Sequence, residues 1–132
     1  ASPSIIDRLR QIRQPWTVNT LAIEAGKYLL EHNPKVLPDM HIYLTEAQRL
    51  KSELQNIEGL MVMDTFTHYM LVNIDWATSL ELKNWLIEHH GILIRDASNF
   101  HGLDDHCFRV AAQMPDENDA LIAAIKEYKV SQ

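Results

Sequence analysis

The 132-residue sequence predicts an α+β domain, with about four strands in a small mixed or antiparallel sheet, helices packed against it and an N-terminal helical arm. Two observations carry this. Segments with apolar residues at helical spacing alternate with short runs of bulky apolar residues, and capping or breaking residues stand where one kind gives way to the other. No repeat or low-complexity segment interrupts the order.

Ser4 to Gln11 reads as a short helix. Thr17 stands where it can cap a second helix with Leu21, Ala22, Ala25, Tyr28 and Leu29 on its apolar positions, and His32-Asn33-Pro34 stops it. From about Pro38 a long helix follows, with Tyr43, Ala47, Leu50, Leu54 and Ile57 on one face and Gly59 just past its end. Leu60 to Asp64 and His68 to Ile74 read as strands, and the short Thr65-Phe66-Thr67 connection favours their antiparallel pairing. Thr78 and Glu81 have capping-box spacing ahead of Leu82, Trp85 and Leu86, and Gly91 ends that helix before a strand from Ile92 to Arg95. After a polar loop from Asp96 to Asp105, His106 to Gln113 alternates as a strand, and Pro115, Asp116 and Glu117 open the last helix. Residues 1–33 thus form the arm and residues 34–132 the small domain, joined at Asn33-Pro34-Lys35.

Composition bounds the function. Twelve basic against 18 acidic residues give a net charge of −6, without the basic cluster that nucleic-acid binding needs. Cys107 is the single cysteine, so the chain forms no internal disulfide, and a reducing cytoplasm suits it. No apolar run approaches the ~20 residues of a membrane span. The adjacent His89 and His90 diverge by about 100° on a helix, and His68, His101 and His106 fall at loops or strand ends, so no metal site is expected. Cys107 beside Phe108 reads as a buried or half-buried thiol without a neighbouring base. Trp16, Trp76 and Trp85 read as packing anchors.

Two arginines stand out. Arg95 and Arg109 each sit in a predicted strand, where an unpaired guanidinium is expensive to desolvate. Alternation puts Cys107, Arg109 and Ala111 on one face and His106, Phe108 and Val110 on the other, so Arg109 emerges among small residues that leave space for a ligand. On neighbouring strands the two planar donor forks would make an anion-binding pair. The alternative is a plain salt bridge to Asp96, Asp104 or Asp105.

Gln14-Pro15-Trp16-Thr17-Val18-Asn19, Ile94-Arg95-Asp96 with Asn99-Phe100-His101-Gly102-Leu103, and Phe108-Arg109-Val110-Ala111 occur in an order that resembles the threonine-phosphate decarboxylase and histidinol-phosphate aminotransferase branch of the pyridoxal-phosphate (PLP) enzymes. The resemblance runs from about Ile5 to Ile125, over that family's C-terminal third, and the first two motifs look more like the decarboxylase, which serves cobalamin biosynthesis. It implies the small domain of the PLP-dependent transferase fold. It also implies full-length relatives that are cytoplasmic homodimers, in which a large domain holds PLP through a lysine Schiff base and the small domain closes over an anionic amino-acid or phosphate substrate. Arg109 matches the arginine that grips the substrate carboxylate, and Arg95 the one near the same anion site. None of Lys27, Lys35, Lys51, Lys83, Lys126 or Lys129 has the Ser-x-x-Lys setting of the family's Schiff-base lysine. The large domain is therefore expected to be absent, and this chain is expected to bind no cofactor, hold no catalytic residue and be inactive alone. A carboxylate fixed perpendicular to the cofactor ring would, on the family analogy, leave as CO2, whereas a Cα–H placed there favours transamination. Outside the family, the competing readings are a free-standing anion-binding or interaction module and a purely structural domain with both arginines internally paired.

Overall fold

The computed structural model describes residues 2–13, 17–32 and 39–132. The chain divides into two units, Ala1–Pro38 and Asp39–Gln132. The first contains helices α1 (Pro3–Ile12) and α2 (Thr20–Glu31), neither of which contains a buried residue. The cap of α2 is Asn19, whose side chain accepts from the Ala22 amide at 2.9 Å, and not Thr17 as expected. The helix begins at Thr20, so Asn19 and not Thr17 stands next to its first free amides. His32 ends this helix; the expected stop at Asn33-Pro34 and the Trp16 anchor lie outside the described residues.

In the second unit the order is α3 (Met40–Gln55), β1 (Leu60–Val62), β2 (Tyr69–Ile74), α4 (Ser79–His90), β3 (Arg95–Asp96), β4 (Cys107–Ala111) and α5 (Pro115–Val130). Asp39 caps α3 by accepting from the His41 and Ile42 amides. Thr78 and Glu81 form the expected capping box on α4, and Gly91 ends that helix at φ 65°, a left-handed conformation glycine adopts without steric cost. Glu117 accepts from the Met114 amide at 3.1 Å, closing the start of α5 behind Pro115.

The four strands lie in the order β1-β2-β4-β3, and every neighbouring pair is antiparallel. One face is apolar. Met70, Val72 and Ile74 of β2 and Phe108 and Val110 of β4 alternate onto it and join Ala47, Leu50 and Leu54 of α3, Leu82 and Leu86 of α4 and Leu121, Ile122 and Ile125 of α5 in one core. Trp76 and Trp85 pack against that core from its edge, as expected of anchors.

The strand expected over Ile92 to Arg95 is shorter and later than predicted, covering only Arg95 and Asp96. The Ile92 amide is spent on the Leu86 carbonyl at 3.1 Å, so the chain leaves α4 still bonded to it and reaches β4 late. Among the described residues no helix is long and apolar enough to cross a membrane.

Candidate anion-binding site

β4 is a central strand, and its Phe108 and Arg109 are placed by pairing on both sides. Phe108 and Val110 point into the core, and Arg109, between them, must point to the opposite face. There it meets three neighbours. Leu71 is its partner on β2, Arg95 its partner on β3, and Tyr69 its diagonal neighbour on β2, since Tyr69 itself pairs with Ala111. The Arg109 Cζ stands 4.7 Å from the centroid of the Tyr69 ring. Ala111 is small and leaves room beside the guanidinium.

Directly opposed residues of an antiparallel pair have side chains on the same face, with Cβ atoms only about 5 Å apart. The structure therefore brings Arg95 and Arg109 together as the sequence suggested. Two like charges so placed repel unless an anion or water stands between them. The Arg95 side chain reaches the Asn99 Oδ1 at 3.4 Å and lies 5.7 Å from the Phe100 ring centroid. Among the described residues neither arginine forms an ion pair.

The three carboxylates that might have neutralised them are engaged elsewhere. Asp96, opposite Phe108, turns to the helical face, where it accepts from the Ser79 hydroxyl at 2.7 Å and the Ser98 amide at 2.9 Å; these bonds lower its pKa. Asp104 accepts from the Cys107 thiol at 3.4 Å and the His106 amide at 3.1 Å, and is lowered likewise. Asp105 lies 3.6 Å from the His106 imidazole. None of the three forms an ion pair with either guanidinium. The simple salt-bridge alternative is not the arrangement seen.

A cavity of about 440 Å³ opens beside β4 where residues 92–94 stay out of the sheet. Its lining includes Tyr69, Arg95, Arg109 and Ala111 from the sheet, the segment from Gly91 to Ile94, Gln113 after β4, and Glu117 and Asn118 from the start of α5. Asn118 is buried and holds this rim: its Oδ1 accepts from the Gln113 amide at 2.9 Å, and its Nδ2 donates to the Gln113 carbonyl at 3.1 Å and to Glu46 at 2.7 Å. Glu117 is turned toward its own helix start by the Met114 amide. The cationic groups lining the cavity are the two arginines, whose donor forks have the chemistry to receive an anion.

Sequence reasoning missed Tyr69, Gln113 and Asn118 as parts of the site. The alternation of β2 puts Tyr69 on the face opposite Met70, but the β2–β4 register that sets it beside Arg109 comes from tertiary pairing. Cys107 is buried, with Asn73 Nδ2 at 3.5 Å and Asp104 as its neighbours. Among the described residues no group of three or more His, Cys, Asp or Glu side chains is placed to hold a metal ion.

The sequence pattern of aminotransferase class I and II matches residues 1–125. A protein of Caldanaerobacter subterraneus subsp. tengcongensis, provisionally named a threonine-phosphate decarboxylase, is 35% identical over 125 residues, 95% of this chain and 34% of its own length. The histidinol-phosphate aminotransferase of Chromobacterium violaceum is 29% identical over 130 residues, 98% of this chain and 36% of its own. Among solved structures, the L-threonine-O-3-phosphate decarboxylase of Porphyromonas gingivalis superposes with a TM-score of 0.77 at 32% identity, over 97% of this chain and 39% of that one. The chain spans about a third of the length of the curated relatives it matches.

Proposed function

We propose, since the chain belongs to the aminotransferase class I and II family, that it is the small-domain part of a PLP-dependent enzyme acting on a phosphorylated amino acid, with Arg109 and Arg95 holding the substrate's anionic groups. Residues 34–132 are the small domain and 1–33 the arm that leads to it. The observation that carries the reading is the direct opposition of Arg95 and Arg109 in the β3–β4 ladder, both lining one cavity, with the nearby carboxylates turned away.

An aldehyde cofactor such as PLP needs a lysine amine, and the cavity lining contains no lysine. Lys51 is paired with Asp64, Lys129 with Glu58 and Lys27 with Glu24. The residues lining this cavity therefore do not fit the cofactor, and no chemical step is routed through it. What the chain supplies is orientation. Arg109, fixed in the central strand, presents a two-point donor fork to a carboxylate; Arg95, on the edge strand, offers a second cation to a further anionic group. Held at both ends, the substrate is left with few ways to turn, and rotational restriction of this kind selects which bond is aligned for cleavage.

A substrate that bears both a carboxylate and a phosphate suits two separate guanidinium groups. This favours an L-threonine O-3-phosphate decarboxylase-like enzyme, of the kind that serves cobalamin biosynthesis, over a histidinol-phosphate aminotransferase, although relatives of both names match. The full enzyme is taken to be a cytoplasmic homodimer.

The test is titration of the chain with L-threonine O-3-phosphate, with L-histidinol phosphate and with inorganic phosphate, followed by amide chemical shifts. Binding is expected to move the resonances of β3, β4 and the start of α5, with L-threonine O-3-phosphate tightest. Arg109→Gln should weaken it at least about tenfold, since charge-assisted hydrogen bonds are each worth on the order of 1.5–3 kcal/mol. Affinity unchanged in both Arg109→Gln and Arg95→Gln would remove the assignment, and tighter binding of L-histidinol phosphate would reverse the preference between the two activities.

A further inference from the structure

We infer that Tyr69 is a positioning residue of the anion site, holding the Arg109 guanidinium by its face so that the in-plane N–H edges stay open to a ligand. The inference rests on the reading of Arg109 as an anion receptor given above and deepens it.

A receptor arginine has conflicting needs. It must be held still, because its long side chain loses much rotamer freedom on binding. Yet a carboxylate that held it would occupy the same N–H edges that the ligand requires. An aromatic face resolves the conflict, since it attracts the cation through the ring quadrupole and uses no N–H donor. Arg109 has such a partner in the Tyr69 ring, 4.7 Å from Cζ, and both residues line the same cavity.

The ring is itself anchored. The Thr65 hydroxyl donates to the Tyr69 carbonyl at 2.8 Å, and the Tyr69 amide donates to the Thr67 hydroxyl at 3.2 Å, so the hairpin turn ties down the first residue of β2. The His68 ring lies 3.9 Å from the Tyr69 ring, centroid to centroid. Across the ladder, the pairing of Tyr69 with Ala111 places the ring one step diagonally from Arg109, within reach of two long side chains. Tyr69 remains 44% exposed, so it contributes little to the core and its size is not explained by packing there.

Arg95 is held differently. It stands on a two-residue edge strand, spends a donor on Asn99 and lies farther from an aromatic ring, at 5.7 Å. Of the pair, Arg109 is the preorganised member, and the ring beneath it makes it so.

The experiment compares the wild-type chain with Tyr69→Phe, Tyr69→Leu and Tyr69→Met, using inorganic phosphate as the probe and the Arg109 Nε–Hε resonance as the signature. In the wild type that resonance should carry the upfield shift of a proton above a ring. Tyr69→Phe keeps the ring and should retain both the shift and the phosphate affinity. Tyr69→Leu and Tyr69→Met should lose the shift and bind phosphate about two- to fivefold more weakly, the range expected of a partly exposed cation–π contact. A role in strand packing alone would be met by leucine or methionine. Wild-type affinity in both aliphatic variants would therefore overturn the inference, as would loss of affinity in Tyr69→Phe. If the wild type itself binds neither phosphate nor L-threonine O-3-phosphate, the anion-receptor reading fails first and this inference falls with it.

Discussion

Asn118 and Glu46 meet across the domain. The Asn118 Nδ2, at the start of α5, donates at 2.7 Å to the Glu46 Oε1 on α3, while both ends of the same amide grip the main chain of Gln113. Glu46 is in turn held by Arg49, whose guanidinium also reaches Asp119 at 2.8 Å. These bonds to Arg49 and Asn118 pull the Glu46 carboxyl below its usual range. The network ties two helices to the rim of the cavity.

Removing the amide leaves buried main-chain groups without partners. Asn118→Ala should therefore cost about 1–3 kcal/mol in urea unfolding, with an unchanged denaturant slope. Asn118→Asp should be worse at pH 7 than at pH 4, because it sets a second carboxylate against Glu46. A cost within about 0.5 kcal/mol for both would show that the network is dispensable.

Phe108 is fully buried on the core face of the strand that bears Arg109. Phe108→Ala should cost about 3–5 kcal/mol by thermal or chemical unfolding. Since the same strand is paired on both sides, phosphate affinity and stability should fall together in this variant. Intact affinity alongside lost stability would mean that the arginines do not depend on the strand as described.

The His106 Nδ1 donates to the carbonyls of Ala77 at 2.9 Å and Ile74 at 3.0 Å, and its pKa is raised, chiefly by the Ala77 bond and then by Asp105. Asp104 and Glu81 also face it. A raised folded-state pKa means that the protonated ring stabilises the fold. That contribution is complete below the unfolded value of about 6.5 and is lost as pH rises through the folded value. The melting temperature of the wild type should thus drop more than that of His106→Asn between pH 6 and pH 8. Parallel curves for the two proteins would count against the linkage.

Gly91 closes α4 at φ 65°, and a Cβ there would meet nothing within 4 Å. Gly91→Ala should then cost only the backbone term, roughly 1–2 kcal/mol, and Gly91→Asn less. Equal stability of Gly91→Ala and wild type, measured by calorimetry, would show that the helix end relaxes out of the left-handed conformation.

What could be read from the sequence was whatever short-range rules determine. Thr78 and Glu81 announced their helix, Gly91 its end, and the alternation of Phe108, Arg109 and Val110 its two faces. The ordered motifs around Arg95 and Arg109 led to the right family, as the match over residues 1–125 confirms. Less legible was anything that depends on which strand lies beside which. Arg109 stands in a central strand and Arg95 on an edge only because β4 inserts between β2 and β3, and Tyr69 joins the site through that insertion. The early end of β3 was equally hidden, since Ile92, Leu93 and Ile94 have the composition of a strand. It is the long hold of the α4 terminus on Ile92 that keeps them out of the sheet.

The insertion of β4 also sets the time at which the site can exist. β1 and β2 form a hairpin across a short turn, a contact that closes early and at small entropic cost. β3 and β4 are likewise consecutive in the chain and pair across one loop, whereas β4 reaches β2 only across α4, so until it docks Arg109 has not met Tyr69. Non-local pairings of this sort are the slow ones in folding. The contact of Tyr69 with Arg109 therefore depends on the non-local β2–β4 pairing, and an anion that binds only the completed site adds its free energy to the whole fold.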